Sequence, residues 1–448
     1  MSEETVKPVV SERAMSESVE FAFRGSIAAL SRDERRRLLD RGTSSDDGIR
    51  ARVAGIVARV RRGGDDALHA LALELDGVRL ESLEVPRTVW RRALDSLDPA
   101  LRRAMERCAA NVASAHRAFL PSAQETETEP GITLGRRPDP LARVGVYAPG
   151  GRAAYPSSVL MGAVPARVAG VGEVILCTPP SVDGVPSAVV LAAAELANVD
   201  RVFALGGAGA VVAMAFGTES VPRVDRVVGP GNSYVAEAKL QVCGAVAIDS
   251  PAGPSELLVL ADDSADPELV ARELIAQAEH DPEASCIAIA VAEPVSRAIS
   301  TALTRAVPNA ERAAIVREAM ARRGGVLRAA TIDEAVALAN EFAAEHVLLA
   351  VREPERVLER LRGAGTVFVG QASSVAFGDY MTGANHVLPT GGLARCYSGL
   401  SVLDYFRWTT YQRVSPVAAA RLSFDVATLA KAEGLPGHAA AARAWGTS

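Results

Sequence analysis

Four of the six histidines in this chain lie from residue 280 onward, and each has an amide or a carboxylate close to it in sequence. The pairs are Gln277 with His280, Glu345 with His346, Asp379 with His386, and Glu433 with His438. Imidazole nitrogens combined with amide or carboxylate oxygens suit zinc or a similar divalent metal. The five cysteines are widely spaced and form no CxxC pair, so a thiolate metal site is not predicted. A metal-dependent enzyme is therefore the first hypothesis.

A helix predicted from Pro267 to His280 would bring two of these groups together. Gln277 and His280 are three residues apart, so both side chains would project from one helical face and could bind the same ion. A polar helix end has the same composition, so that interpretation stays open. Asp379 lies in a loop rich in Gly, Thr and Asn, where an aspartate serves either as a hard-oxygen ligand or as a turn former.

A further pair, Glu345 and His346, lies where a helix predicted over 333–345 ends and a strand predicted over 347–351 begins. This position would deliver two titratable groups to the edge of a sheet, where they could divide general-base and general-acid catalysis. An exposed helix terminus could carry the same two residues, so the pattern alone leaves both interpretations open.

The elements that would position these groups alternate between short strands and helices from residue 142 onward. The predicted strands are 143–147, 173–177, 201–205, 256–261, 347–351 and 365–370, and the helices between them include 187–197, 210–216 and 267–280. This alternation predicts parallel sheets covered by helices, with ligands at the carboxyl ends of the strands. We predict two α/β modules in series, preceded by helices in 31–76 and 98–119 and followed by a helical tail from about residue 401.

One glycine cluster, Gly206-Gly207-Ala-Gly209, follows a predicted strand and partly matches a dinucleotide-binding fingerprint. The third glycine of that fingerprint is missing, and no acidic residue ends the following strand, so the signal for a nucleotide is weak. The sequence contains no P-loop, no His-Glu-x-x-His and no Gly-x-Ser-x-Gly motif.

Length and composition limit the class of protein. A chain of 448 residues with 49% hydrophobic and 23% charged residues predicts a globular α/β protein of two to four domains. Its net charge of −6, without a basic stripe, gives no reason to expect a nucleic-acid partner. No apolar run is long enough to span a membrane, the N-terminus lacks a signal pattern, and the cysteine spacing fits a reducing compartment. We therefore expect a cytoplasmic enzyme that acts on a small molecule.

Taken together, the motifs resemble the histidinol dehydrogenase family from about residue 37 to residue 438. The stretches that carry the resemblance are Gly145-Val-Tyr-Ala-Pro-Gly-Gly-Arg-Ala-Ala-Tyr-Pro-Ser-Ser-Val-Leu-Met161, Ala215-Phe-Gly-Thr-Glu-Ser-Val-Pro222, Gly229-Pro-Gly-Asn232, Ala252-Gly-Pro-Ser-Glu256, Gln277-Ala-Glu-His280 and Asn385-His-Val-Leu-Pro-Thr-Gly-Gly392. These stretches are too long and too ordered to be chance matches to short motifs.

The resemblance implies a role for each candidate residue. The zinc ligands would be Gln277, His280, Asp379 and His438, the last coming from the partner subunit of a homodimer with a shared active site. The substrate would contact these four residues together with Ser255, His346, His386 and the partner subunit's Glu433. The cofactor would contact Tyr147, Gly209 and Asn232, and the catalytic pair would be Glu345 and His346.

The resemblance also implies a reaction and a domain division. The reaction is the oxidation of L-histidinol to L-histidine with one zinc ion per subunit and two molecules of NAD. The fold would be two Rossmann-like α/β modules with parallel sheets. The expected parts are an N-terminal extension, 1–41, partly disordered and then helical; a discontinuous domain, 42–146 and 256–400, with the metal and catalytic residues; a cofactor domain, 147–255; and a helical tail, 401–448, exchanged in the dimer.

The chain departs from the family pattern at two positions. Gly209 stands where the family usually has Gln, which predicts the loss of a cofactor hydrogen bond worth about 0.5–1.5 kcal/mol. Ala344 stands where the family has Pro before the catalytic pair, which removes a rigid residue but no reacting group.

Three other functions remain open from the sequence. A paralogue on the same scaffold could oxidise another polar alcohol, such as a sulfonated diol, although Glu433 and His438 favour histidinol. A zinc hydrolase could use the same ligands and a water activated by glutamate, but it would not need the stretches around Tyr147 and Asn232. A binding or scaffold protein would have no use for intact metal and acid-base positions.

Overall fold

The structure of the chain is a computed structural model that describes residues 19–42, 47–150 and 154–446. Its strands are β1 Phe23–Ser26, β2 Glu84–Val85, β3 Gln124–Glu129, β4 Ile132–Pro140, β5 Arg143–Tyr147, β6 Glu173–Thr178, β7 Arg201–Ala204, β8 Arg226–Val228, β9 Ala247–Ile248, β10 Glu256–Ala261, β11 Ser285–Val291, β12 Gly325–Ala329, β13 His346–Ala350, β14 Thr366–Val369 and β15 Phe406–Val414. They form three sheets among the described residues.

The helices cover the two large sheets and build the tail. They are α1 Arg32–Leu39, α2 Asp47–Leu71, α3 Arg87–Asp95, α4 Pro99–Ala118, α5 Pro156–Ala169, α6 Ala188–Leu196, α7 Gly207–Phe216, α8 Ser233–Val242, α9 Pro267–Ala278, α10 Glu293–Ala306, α11 Ala313–Arg323, α12 Ile332–Phe342, α13 Pro354–Leu358, α14 Val375–Tyr380, α15 Pro416–Ala432 and α16 Pro436–Arg443. Among the described residues, no helix combines the length and the apolar character needed to cross a membrane.

The first large sheet has the strand order β1-β12-β11-β10-β13-β14, and all of its neighbouring strands are parallel. Its central strand β10 is buried at every residue because helices cover both faces. In the register between β10 and β13, Leu257 lies beside His346. The start of β13, where the predicted catalytic pair lies, is therefore held in the middle of the sheet.

The second large sheet has the order β2-β7-β6-β5-β8-β9, in which only β2 is antiparallel to its neighbour. Residues of α2 and α4 are buried in the same core as β5, β6 and β7. The expected grouping of 42–146 with 256–400 is therefore wrong for the described part of that segment. The apolar faces of its helices α2 and α4 pack against residues 147–255, because the complementary hydrophobic surface lies there.

The N-terminal segment also differs from expectation. Part of it is a strand, β1, which pairs with β12 from Phe23↔Gly325 to Ser26↔Arg328, so 19–42 belong to the first large sheet. Residues 1–18 of the extension predicted to be partly disordered lie outside the described residues. The helices predicted within 31–76 are α1 and α2, and α2 is kinked at Gly64, whose φ of 46° is costly for any residue with a side chain.

The tail is not entirely helical. β15 pairs antiparallel with β4, which pairs with β3, so 406–414 form the edge of a three-stranded sheet. Only α15 and α16, which pack on each other through Ala427, Ala430 and Ala439, match the predicted helical tail. The prediction of helix from residue 401 onward missed the strand because its pairing partner lies in a distant part of the chain.

The helix predicted over 98–119 is confirmed as α4. Asp98 caps α4 by accepting hydrogen bonds from the amides of Ala100 and Leu101, and Pro99 is the first helical residue. The α/β class with parallel sheets is also confirmed.

Candidate active site

Asp379 lies at the centre of a cluster of histidines between the carboxyl end of α14 and the start of β13. The Nε2 atom of His346 lies 3.6 Å from Asp379 Oδ1, and the Nδ1 atom of His386 lies 2.8 Å from the backbone oxygen of Asp379. Burial alone would raise the pKa of Asp379, but His346, together with His386 and His280, lowers it below its usual value. Two predicted site histidines, His346 and His386, therefore lie against Asp379, and a third, His280, is near enough for its charge to act on the carboxylate.

His346 lies in an acidic and fully enclosed environment. Burial opposes the imidazolium form, but Glu345 and Asp379 outweigh it and raise the pKa of His346 to about 10. The Nδ1 atom of His346 lies 3.1 Å from the backbone oxygen of Glu256 and 3.4 Å from Glu345 Oε2. Its Nε2 atom is buried and has no hydrogen-bond partner within the described residues. The unpaired Nε2 atom of the His346 ring therefore faces Asp379.

The carboxylate of Glu345 is fixed by the neighbouring strand. The backbone N–H of Glu256 donates to Glu345 Oε2 at 2.8 Å, and the backbone N–H of Glu345 donates to Glu256 Oε2 at 3.3 Å. Only 9% of the Glu345 side chain is exposed. A buried acid and a buried imidazole, both immobilised, can move protons in a defined direction.

Gln277 lies in the last turn of α9, and His280 follows the end of that helix. The helix ends at Ala278, so His280 lies in the following turn, where its N–H donates to the Gln277 oxygen at 3.4 Å. The predicted helix end at His280 is therefore wrong by two residues, and the binding of one ion by both side chains stays a prediction. The Gln277 side chain is buried and makes no hydrogen bond within the described residues.

Ser255 and His386 border the same cluster. Ser255 directly precedes β10, and its backbone oxygen accepts from the Ser285 N–H at 2.9 Å. Burial lowers the pKa of His386, so this ring is held neutral beside Asp379. Its neighbour Asn385 donates through Nδ2 to the Met161 oxygen on α5 at 2.8 Å, which ties the loop 381–392 to the second large sheet.

A cavity of about 980 Å³ lies beyond the carboxyl ends of strands of the second large sheet. Its lining includes Tyr147, whose hydroxyl oxygen accepts from the Gly207 N–H at 3.0 Å, and Asn232. Burial raises the pKa of Tyr147 to about 12, so its O–H remains a donor. The Asn232 oxygen caps α8, while its amide NH₂ makes no hydrogen bond within the described residues.

Tyr380 and Tyr155 lie between the cavity and the histidine cluster in sequence and in charge interactions. Tyr380, which follows Asp379, has a pKa raised by burial and then by the charges of Asp379 and Tyr155. Ala154, the neighbour of Tyr155, lines the cavity. A molecule that fills the cavity could therefore extend toward the proton-transfer residues.

The comparisons with known proteins agree with this geometry. The family model described as histidinol dehydrogenase matches residues 39–445. The chain belongs to the histidinol dehydrogenase family. The histidinol dehydrogenase of Halobacterium salinarum is 48% identical over 416 residues, which cover 93% of this chain and 97% of that protein. That of Methanothermobacter thermautotrophicus is 43% identical over 402 residues, which cover 90% and 94%.

A solved structure of the family shows the same fold. The crystal structure of histidinol dehydrogenase from Elizabethkingia anophelis matches with a TM-score of 0.90 and 30% identity, and the match covers 95% of this chain and 98% of that one. The resemblance inferred from the motifs and the assignment to an oxidoreductase of histidine biosynthesis are therefore confirmed.

The structure does not bring all predicted residues to the cluster. Glu433 ends α15 and His438 lies on α16, both exposed, and no hydrogen bond or ion pair among the described residues links them to Asp379. Gly209 is buried in α7 and is absent from the cavity lining, and a Cβ there would meet Leu71 at 3.4 Å and Leu68 at 3.6 Å. Gly209 itself therefore does not line the cavity, and the cofactor contact at this position stays a prediction.

Ala344 explains why one departure from the family is tolerated. Its backbone N–H donates no hydrogen bond within the described residues, so a proline there would lose no bond. The exchange of Pro for Ala therefore changes rigidity and leaves the hydrogen bonds of the catalytic pair intact.

Proposed function

We propose that this member of the family is a zinc-dependent, NAD-linked L-histidinol dehydrogenase, which oxidises L-histidinol through bound L-histidinal to L-histidine in the last step of histidine biosynthesis. The observation that carries the proposal is the buried pair Glu345–His346, packed against Asp379 at 3.6 Å. The pair supplies two proton acceptors, and Asp379 supplies a metal ligand beside them.

The hydrogen bonds of His346 decide which of its nitrogens acts as the base. A carbonyl oxygen only accepts, so the Nδ1 atom facing the Glu256 oxygen carries the hydrogen. The neutral ring then has its free electron pair on Nε2, directed toward Asp379. The free Nε2 can accept the hydroxyl proton of the alcohol, and Asp379, if it serves as a metal ligand, would no longer stabilise the imidazolium.

Glu345 serves the second oxidation. Its carboxylate accepts a proton from the water that adds to the bound aldehyde, which gives a gem-diol from which the second hydride leaves. The hydrogen bond from the Glu256 N–H fixes one carboxylate oxygen and leaves the other available. Retaining the aldehyde between the two steps protects a reactive intermediate from solution.

The residues present fit zinc when a ligand from a second subunit is included. Within the described residues of one chain, no three His, Cys, Asp or Glu side chains form a complete metal site. Gln277, His280 and Asp379 would hold the ion together with His438 of the partner subunit, and the buried Nε2 of His346, 3.6 Å from Asp379 Oδ1, would face the substrate beside the ion. Zinc would orient the substrate nitrogens so that the reacting C–H bond faces the nicotinamide.

The cavity lined by Tyr147 and Asn232 suits NAD. Its volume of about 980 Å³ is at the upper end of the usual range for ligand sites, as a dinucleotide requires. The Tyr147 O–H and the Asn232 amide are free to donate hydrogen bonds to a bound molecule.

The tail surface supports a homodimer. Large apolar side chains on and beside α15 and α16 are strongly exposed, namely Val417 at 77%, Phe424 at 76%, Leu429 at 68% and Trp445 at 57%. Exposed apolar patches of this kind mark interaction sites. A partner subunit that covers them could receive Glu433 and His438 in its own active site. The free cysteines, among them the exposed Cys243 and Cys396, favour a reducing cytoplasm.

The test is the number of NADH molecules formed per L-histidinol consumed by zinc-loaded protein, with L-histidine assayed as the product. We expect two NADH and one histidine per histidinol. One NADH with released aldehyde would contradict the two-step reaction. No turnover of histidinol, together with turnover of another polar alcohol such as a sulfonated diol, would make the chain a paralogue within the family.

A further inference from the structure

We propose that the buried ion pair Arg41–Glu256 positions the catalytic pair, so that Arg41 and Glu256 are positioning residues for Glu345 and His346. The inference rests on the proposed function, because it assigns a role relative to that reaction. Arg41 Nε lies 2.8 Å from Glu256 Oε1, and each side chain is only 3% exposed. Ion pairs buried this deeply add little net stability, so the role of this pair lies in the groups that it holds in place.

Glu256 contacts the catalytic pair through both its backbone and its side chain. Its backbone N–H holds the Glu345 carboxylate at 2.8 Å, and its backbone oxygen lies 3.1 Å from His346 Nδ1. Its side-chain Oε2 in turn accepts from the Glu345 N–H at 3.3 Å. The two glutamates thus exchange hydrogen bonds, and this exchange fixes the Glu345 carboxylate and the His346 tautomer together.

The same carboxylate also fixes the loop that carries His386. Glu256 Oε1 accepts from the Gly391 N–H at 2.9 Å, and the hydroxyl of Thr390 accepts from the Gly253 N–H at 2.6 Å. One buried side chain therefore joins two segments of the active site, the start of β13 and the loop 381–392. A displacement of the Glu256 carboxylate would therefore break or shift hydrogen bonds to both segments.

Arg41 makes this arrangement electrostatically feasible. Two carboxylates, those of Glu256 and Glu345, lie side by side in a buried site and would repel each other without a cation. Arg41 supplies the charge, and its own N–H groups are satisfied by the oxygens of Phe342 at 2.6 Å and Leu38 at 3.1 Å. Its guanidinium also stacks on the Phe342 ring at 3.4 Å, so the cation itself is rigidly held.

The test compares kcat with KM in Glu256→Gln, Arg41→Met and Arg41→Lys. An amide has one acceptor oxygen where Glu256 uses two, so Glu256→Gln must lose a bond to Glu345 or Gly391. We expect kcat to fall about 10- to 100-fold, because misplacement by an ångström at a reacting centre has effects of that size, while KM for histidinol and NAD changes less than about threefold. The kcat of Arg41→Met should fall by a similar factor. The kcat of Arg41→Lys, which keeps the charge, should fall less.

The matched control is Leu303→Ala, a truncation of a fully buried core residue in α10. It should lower the melting temperature as the ion-pair variants do but leave kcat unchanged, which separates misplacement from simple destabilisation. Variants at Arg41 and Glu256 that are folded and keep the wild-type kcat would overturn the proposal, and so would a change confined to KM. If Glu256→Gln does not fold, Arg41→Lys and Glu256→Asp decide by the same criterion.

A structural readout keeps this inference separate from the proposed reaction. Crystal structures of the wild type and Arg41→Lys, or Glu256→Gln where it folds, need no substrate. A shifted Glu345 carboxylate or a rotated His346 ring in the variant supports the positioning role even if wild-type protein fails to oxidise histidinol. Unchanged positions of both side chains would overturn it even if wild-type protein produces two NADH.

Discussion

Gly209 shows how a single residue could set cofactor affinity. A Cβ at this position would meet Leu71 and Leu68 only at ordinary contact distances, so a Cβ is tolerated, and Leu71 itself lines the cavity. We expect Gly209→Gln to lower KM for NAD by up to roughly tenfold, because one restored hydrogen bond contributes about 0.5–1.5 kcal/mol. Steady-state kinetics with varied NAD measures the effect.

The control is Gly209→Ala, which adds the Cβ without the amide. It should raise the free energy of unfolding by about 0.4–1 kcal/mol, because alanine leaves the unfolded chain less conformational freedom than glycine and fits the helical backbone here. KM for NAD should stay unchanged. Equal changes of KM in the Ala and Gln variants would show that the helix, and not a hydrogen bond, is responsible.

His346 gives the metal-free protein a pH-dependent stability. Its pKa is raised from 6.5 to about 10 in the folded state by Glu345 and Asp379, although burial acts in the opposite direction. The folded state therefore binds the proton more tightly, and the resulting stabilisation is fully present below pH 6.5 and is lost as the pH rises toward 10. We expect urea unfolding of metal-free protein to show this loss relative to His346→Gln, which does not titrate. Parallel curves for the two proteins between pH 6.5 and 10 would contradict the raised pKa.

Candidate reactive side chains could be proposed from the sequence, but the residues that hold them in place could not. Histidines are few, so their pairing with carboxylates and amides is informative. Arg41 is one of 48 basic residues, and its partner Glu256 is 215 positions away in sequence. No local pattern predicts such an ion pair. Glu256 begins β10 and Arg41 follows α1, and only the folded chain brings the two together.

At the scale of elements, α4 supports the active site from outside. Asn111 on α4 donates to the Met381 oxygen at 2.7 Å and so holds the loop that follows Asp379. The helix begins with the Asp98 cap, and we expect Asp98→Ala to lower the free energy of unfolding by about 0.5–2 kcal/mol. Urea unfolding measures the loss, and Asp98→Asn, which keeps a capping oxygen, should lose much less. Equal losses in the two variants would argue that charge, and not capping, is the cause.

Elements with strong local signals were predicted well, and those defined by distant partners were not. β10 is a continuous apolar run, and α4 has a cap followed by proline, so both could be located from sequence alone. β15 is largely exposed, and its register is set by β4, more than 260 positions earlier. Its tail neighbours are helical, which is why the whole tail was predicted as helix.

For the whole molecule, the apolar surfaces decide how the chain is divided. The long helix α2 carries its buried side chains toward α7 and the second large sheet, while β1 joins the first. The chain therefore crosses between the two modules three times, near residues 42, 255 and 400. Periodicity predicts that each helix has an apolar face, but it cannot say which sheet that face will cover.

The exposed apolar tail predicts a dimer in which each active site is shared between two subunits. Glu345→Ala and His438→Ala proteins should each be inactive, but mixing equal amounts under subunit exchange should recover about a quarter of the wild-type activity. Half of the dimers would then be mixed, and one of the two shared sites in each would have both intact residues. Glu345→Ala mixed with His346→Ala is the matched control and should stay inactive, because those two residues come from the same subunit. No recovery with His438→Ala, despite exchange shown by mass-tagged subunits, would mean that each active site is complete within one chain and that the exposed apolar face of α15 and α16 serves another contact.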